Sequence, residues 1–178
     1  MLPARPPKGR TPAGMRMLAW TVAVVVSLLI ATPALAATRD DPDDVDGRLD
    51  LRRVTRTFSN GATAPPLVHF QATTYGRWTL RQCQRVDSCS FVFLVDSRRG
   101  PDADVLAFWD VDRHRRPSCN AYNARTGRFL AAGEASKFRR SAFCSFPAVV
   151  LRRDKPVRWR VQSLWGLIVD AAPDHGWF

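Results

Sequence analysis

Hydrophobic and polar residues alternate along much of this chain with a period of two, the period of a strand with one buried face. Val157, Trp159, Val161 and Ser163 alternate with Arg158, Arg160 and Gln162, and Pro156 stands at the start, where a missing N–H is tolerated. Val68, Phe70 and Ala72 alternate in the same way. Leu49, Leu51, Val54 and Phe58 predict an earlier strand with a bulge, followed by a turn at Asn60-Gly61. Gly76 predicts a bend into a strand carrying Trp78 and Leu80. Residues 91–95 and 105–111 are apolar at successive positions, so the pattern predicts central strands covered on both faces. Residues 117–124 and 128–132 predict a hairpin around Thr126-Gly127. Over 134–146 the pattern is ambiguous. Phe138, Ala142 and Phe146 recur at i, i+4 and i+8, which suits a short helix, while the Ser and Arg content suits an irregular crossover. Pro173 and Gly176 close a polar C-terminal segment. There is no long amphipathic helix and no internal repeat. About eight or nine short strands separated by Gly, Pro and Asn predict an all-β, antiparallel β-sandwich over residues 48–178.

The first 36 residues follow a different rule. Arg5, Lys8, Arg10 and Arg16 precede an apolar run from Met17 to Ala31, Pro33 breaks it, and Ala34-Leu35-Ala36 has the small-x-small form of a signal-peptidase site. This predicts a signal-peptide helix over 1–36, cut after Ala36, and a secreted product. The apolar run is shorter than the ~20 residues of a bilayer span. Ala37 is not the Cys of a lipoprotein anchor, and no later stretch is long and apolar enough to hold the mature chain in a membrane. Met15-Arg16 would also serve as a start. An exported chain meets an oxidising compartment, and all four cysteines lie beyond the cleavage site. Three connectivities are open. Cys83–Cys89 and Cys119–Cys144 are the expected pairs, the first flanking residues 84–88 as two strands of a hairpin would. Chain entropy assigns ~2.4 kcal/mol to the short loop and ~3.5 kcal/mol to the longer one. No Cys-x-x-Cys favours zinc instead.

Beyond Ala36 the chain keeps 23 basic side chains against 16 acidic ones, a net charge of +7. Such a surface suits anionic envelope polymers or glycans. A solvated basic surface from Arg-rich coding accounts for the charge equally well. Export argues against nucleic acid as the partner. The basic loop Arg113, Arg115 and Arg116 follows Asp110-Val111-Asp112 and is a candidate anion clamp, or a hairpin tip whose charges neutralise each other. Parity puts Trp109 and Trp159 with Val and Ala neighbours in the core, and Trp78 beside Leu80. Trp165 and Trp177 are left as candidate sugar-stacking residues, with Tyr75 and Tyr122 behind them.

Residues 37–47 form an acidic lead-in. Asp41, Asp43, Asp44 and Asp46 before Gly47 offer the hard oxygens that calcium requires. The EF-hand spacing fails, because Pro42 stands where the first Asp belongs. A solvated acidic linker is the alternative. Catalytic signatures are thin: no Gly-x-Ser-x-Gly, no His-Glu-x-x-His and no phosphate-cradling Gly loop. A hydrolase here would have to recruit Asp carboxylates, since Glu134 is the one Glu. His69, His114 and His175 stand apart in sequence and read as structural.

Two segments bracket the β-rich middle, 41–51 (Asp-Pro-Asp-Asp-Val-Asp-Gly-Arg-Leu-Asp-Leu) and 169–176 (Val-Asp-Ala-Ala-Pro-Asp-His-Gly). With Thr73-Thr74-Tyr75-x-x-Trp78 and Asp110-x-Asp112, the chain resembles a group of uncharacterised exported proteins of high-GC Gram-positive bacteria, each a signal peptide plus one β-domain. It is distantly similar to carbohydrate-binding family nine and DOMON-type sandwiches. The DOMON haem pattern is missing, because Met1, Met15 and Met17 all precede the cleavage site. The resemblance implies the fold and the location; fold likeness alone assigns no activity. The expectation is an exported, non-catalytic binding module for cell-envelope or extracellular glycan-type ligands, needing no cofactor except Ca2+ at the acidic lead-in. The alternatives are a structural partner of another exported protein and an Asp-based hydrolase.

Overall fold

The computed structural model describes residues 36–59, 65–98, 100–151 and 157–178. The signal-peptide helix expected up to residue 35, the Asn60-Gly61 turn and Pro156 lie outside them. The described residues form ten strands: β1 (Ala37–Asp40), β2 (Leu51–Ser59), β3 (Leu67–Thr74), β4 (Cys89–Asp96), β5 (Val105–Val111), β6 (Pro117–Asn123), β7 (Phe129–Phe138), β8 (Ser141–Pro147), β9 (Arg158–Trp165) and β10 (Ile168–Ala172). Every pairing is antiparallel, and the strands make one sheet in the order β1-β2-β3-β8-β7-β6-β5-β4-β9-β10. The sheet nearly closes on itself. At the seam between its two ends, the Leu51 N–H donates to Asp170 Oδ2 at 2.5 Å and the Ser163 hydroxyl donates to the Leu49 carbonyl at 2.6 Å. Ten strands in one nearly closed sheet thus replace the eight or nine expected.

Period-two alternation builds the interior. Val68, Phe70 and Ala72 of β3, Phe91, Phe93 and Val95 of β4, and Trp159 and Val161 of β9 all point inward and are buried. Trp78, Phe91 and Trp109 meet there tilted and edge to face, while Phe70 stacks on Phe93 and leans against Trp159. Burying a side chain of this size contributes about 1.5–3 kcal/mol.

The bend that curls the sheet lies in β7. Up to Gly133 the strand pairs with β6, and from Glu134 it pairs with β8. A Cβ at Gly133 would sit 2.0 Å from the Ser145 carbonyl oxygen, so only glycine permits the approach. The Cys119–Cys144 disulfide joins β6 to β8 beside this bend.

Several expectations need correction. Residues 134–146 are neither helix nor crossover: β7 runs on to Phe138, turns at 139–140 and returns as β8. Positions i, i+4 and i+8 are also a subset of period two, and Ala142 and Phe146 are buried while Phe138 is 63% exposed. Trp78 does enter the core, but from a loop. Leu80 opens a four-residue helix, α1 (Leu80–Cys83), instead of a strand. Thr79 caps it by accepting the Gln82 N–H, and Gln82 Oε1 accepts the Thr79 N–H in return. The Cys83–Cys89 disulfide therefore fastens a helix end to β4, and not two strands of a hairpin. The lead-in is part of the fold, since β1 pairs with residues 53–56 of β2. β4 and β5 are apolar on both faces as expected, yet their outer face stays partly open. There Leu94, Leu106, Tyr122 and Phe129 stand in one cross-strand row, with Phe129 53% exposed.

Candidate metal centre

The seam brings together acids that are far apart in the chain. β10 is the last strand of the sheet, and its free edge is covered by the loop between β1 and β2, residues 41–50. Gly47 lies against Ile168, where a Cβ would meet its side chain at 3.4 Å. Asp170 points inward from β10 opposite Ser163, and it is 4% exposed. Its two oxygens accept the N–H groups of Leu51 and Ala171, at 2.5 and 2.6 Å. Carboxylate oxygens of Asp44, Asp170 and Asp174 all lie within 4.8 Å of one another. Two oxygens each ~2.4 Å from one calcium ion are at most ~4.8 Å apart, so the spacing fits a shared cation.

Two further carboxylates lie within reach of its charges. Asp41 and Asp50 are 5% and 3% exposed, and Asp41 Oδ2 and Asp50 Oδ1 have no hydrogen-bond partner among the described residues. Burial, then the charges of Asp170, Asp174 and Asp44, push the Asp41 carboxyl up to about 7. Burial, a hydrogen bond with the Asp43 carboxyl and the charges of Asp170, Asp43 and Asp44 push Asp50 to about 7 as well. Asp170 is raised by burial against the pull of its two N–H donors. The charges acting on Asp41 and Asp50 are those of other aspartates. Among the described residues, no basic side chain stands with the main groups acting on Asp41 or Asp50, a set that a folded chain would otherwise avoid burying. A divalent cation would answer it. The donors are all oxygen, which favours calcium or magnesium over zinc, and many carboxylates in an irregular cage suit calcium.

Of the residues expected to hold metal, Asp41 and Asp44 face this group and Asp43 touches it through Asp50. Asp46 is exposed in the covering loop and does not join it. Asp50, Asp170 and Asp174 went unassigned as ligands. Their signal was present in the two acidic segments that bracket the chain, but nothing local in either one says that they meet.

The other candidates lie elsewhere. A cleft of about 720 Å³ opens beside the first disulfide, lined by Gln84, Ser88, Ser90, Asp110, Asp112 and Arg113 among others. Arg113, Arg115 and Arg116 are exposed in the β5–β6 loop. Asp112 Oδ1 fixes that loop by accepting the N–H groups of His114 and Arg116. Gln84 holds it from the other side, donating to the Asp112 and Arg113 carbonyls and accepting from Arg115 Nε. Burial raises Asp110, while the Arg116 N–H holds Asp112 down. The cleft thus holds two Asp of unlike acidity, but the Asp112 carboxylate is committed to its loop. Trp165 is half-buried against the core at the end of β9, and Trp177 is half-buried with the Arg158 guanidinium 5.6 Å from its ring centre. His69 lies between the Ser145 and Ser59 hydroxyls, at 2.8 and 2.9 Å. No helix among the described residues is long and apolar enough to cross a membrane.

No protein-family model, curated protein or solved structure matches this chain.

Proposed function

We propose that this protein is exported and works outside the cytoplasm as a non-catalytic, calcium-binding module for cell-envelope or extracellular glycan-type ligands. The observation that carries the calcium reading is the seam. Asp44, Asp170 and Asp174 converge there, and the neighbouring Asp41 and Asp50, which feel their charges, are buried with an unpartnered oxygen each. Export is supported by the leader pattern and by two disulfides, which persist in oxidising compartments. The bend at Gly133 supports the sandwich description too, dividing the sheet into a β1-β2-β3-β8 half and a β6-β5-β4-β9-β10 half. In this reading the domain belongs with the exported proteins of high-GC Gram-positive bacteria that its two acidic segments resemble.

The test is titration of the disulfide-intact chain with CaCl2, followed by calorimetry and thermal melting. Saturable heat with a Kd of roughly 10⁻⁴–10⁻³ M, the range of extracellular calcium modules, supports the reading. Identical melting curves in CaCl2 and EDTA, with no heat up to about 10 mM ion, remove it. A second reading, an exported protein partner, is favoured by the outer row Leu94, Leu106, Tyr122 and Phe129. Phe129→Ser would abolish that association and leave calcium binding intact.

A further inference from the structure

The seam has an inner and an outer half. Asp41 and Asp170 are buried on the barrel side, while Asp44 and Asp174 are exposed on the solvent side. Calcium takes 6–8 oxygens. Both Asp170 oxygens already accept backbone N–H groups, which leaves one lone pair on each of them for an ion. The carboxylates of Asp44, Asp170 and Asp174, each giving one oxygen, leave at least three positions; the neighbouring Asp41 can fill one, and the exposed Asp44 and Asp174 open the others to solvent.

From this geometry, and resting on the calcium reading above, we infer that the seam ion is the ligand contact: a neutral glycan completes its coordination with a vicinal pair of hydroxyls. A vicinal diol on a sugar ring is held in place by the ring, so it offers two adjacent hard oxygens at small entropic cost. Charge decides between neutral and acidic sugars. The three clustered carboxylates outweigh the two positive charges of one ion, and the exposed Asp43 adds to the excess. A uronate or phosphate would meet net negative charge there, whereas a hydroxyl pair would not. This places the ligand away from the cationic β5–β6 loop despite the basic character of the whole chain.

An aromatic ring stands beside the site. The Tyr75 hydroxyl donates to the Asp41 carbonyl at 2.8 Å, and the Arg52 guanidinium lies 5.9 Å from the ring centre. The charges of Asp43, Asp50 and Asp41 all act on this phenol. The ring is half-buried and anchored, the form in which an aromatic face receives the C–H surface of a sugar.

The experiment is affinity electrophoresis of the full, disulfide-intact chain through gels containing mannan, galactan or polygalacturonate, run in CaCl2 and in EDTA, with CaCl2 calorimetry in parallel. Retardation by a neutral polysaccharide in CaCl2, reduced at least about tenfold in EDTA, is expected. Polygalacturonate gives none. Asp174→Asn and Asp44→Asn, both exposed, should lose calcium heat and retardation together while melting in EDTA like the parent. Tyr75→Ala should keep the calcium heat and weaken retardation roughly two- to tenfold. Calcium heat without retardation by either neutral polymer overturns this inference and leaves the calcium reading standing. So does retardation that survives EDTA, or that favours polygalacturonate. Absence of calcium heat overturns both.

Discussion

Asp96 and Asp41 are both buried aspartates at the margin of the barrel, and their surroundings could hardly differ more. Asp96 is fully buried, and burial by itself would raise it. The Arg158 guanidinium and the N–H groups of Gly100 and Arg98 outweigh that and hold it below the ordinary carboxylate range. Asp41 is nearly as buried, has an unpartnered oxygen and is surrounded by acids, so it rises to about 7. One carboxylate is satisfied by its own chain. The other needs something the chain does not supply. A buried charge is a structural device in the first case and a binding site in the second, and only the list of partners separates them.

Mutation separates the two most sharply. Asp96→Ala strips the Arg158 guanidinium and two N–H groups of their acceptor, and also unsettles the cation over Trp177. It should cost about 3 kcal/mol in urea denaturation, equally in CaCl2 and EDTA. A loss that depended on calcium would break the comparison. Next in size is the effect of the ion on the parent. At a hundred times its Kd, calcium should stabilise by about 2.7 kcal/mol and raise Tm by roughly 5–10 °C in scanning calorimetry.

Acidity has a definite sign. In EDTA, burial and the neighbouring acids let Asp41 and Asp50 hold protons in the native state up to about 7, whereas in the unfolded chain they lose them near the ordinary carboxylate value of about 3.8. The native state therefore binds more protons between those limits, and metal-free stability should fall as pH rises from about 4 to 8. Calcium needs the carboxylates ionised, so the melting gain from CaCl2 should grow over the same range. Melting curves along a pH series in both buffers check this, and a metal-free protein that gained stability with rising pH would contradict the pairing pattern of the seam.

Asp41→Asn in EDTA at about pH 8, where the parent carboxyl is ionised, removes a like charge and should stabilise slightly, by up to about 1 kcal/mol, while reducing the calcium response. That opposite sign to Asp96→Ala is the clearest mark of an unsatisfied site. The smallest effect belongs to Asp46→Asn, within about 0.5 kcal/mol in either buffer, because this exposed side chain lies outside the cluster.

Strands with unbroken alternation were legible in the chain. β3, β5 and β9 stand within a residue or two of their expected bounds, and the core positions of Trp109 and Trp159 followed from parity. β1 and β10 were not legible. They are short end strands, and β10 opens with the exposed Ile168 and Val169 before its inward position is taken by an aspartate. The β7–β8 turn was hidden because Arg139, at φ 52°, makes it without a glycine. Of the aspartates at the seam, Asp41 and Asp44 were read from the lead-in. Asp170 was read only as part of the closing segment 169–176 and not as a ligand, since an inward Asp in a strand looks like a break in the pattern.

Periodicity, cysteine content and leader composition are properties of neighbouring residues, so the chain alone determined an all-strand domain with paired thiols and an acidic entry. The site is of another kind. Leu51 meets Asp170 across 119 positions of sequence, where the start of β2 reaches β10 in a sheet whose close approach of β7 to β8 requires Gly133. Closure of the sheet, a long-range event, decided which aspartates would be neighbours and which would be left without partners.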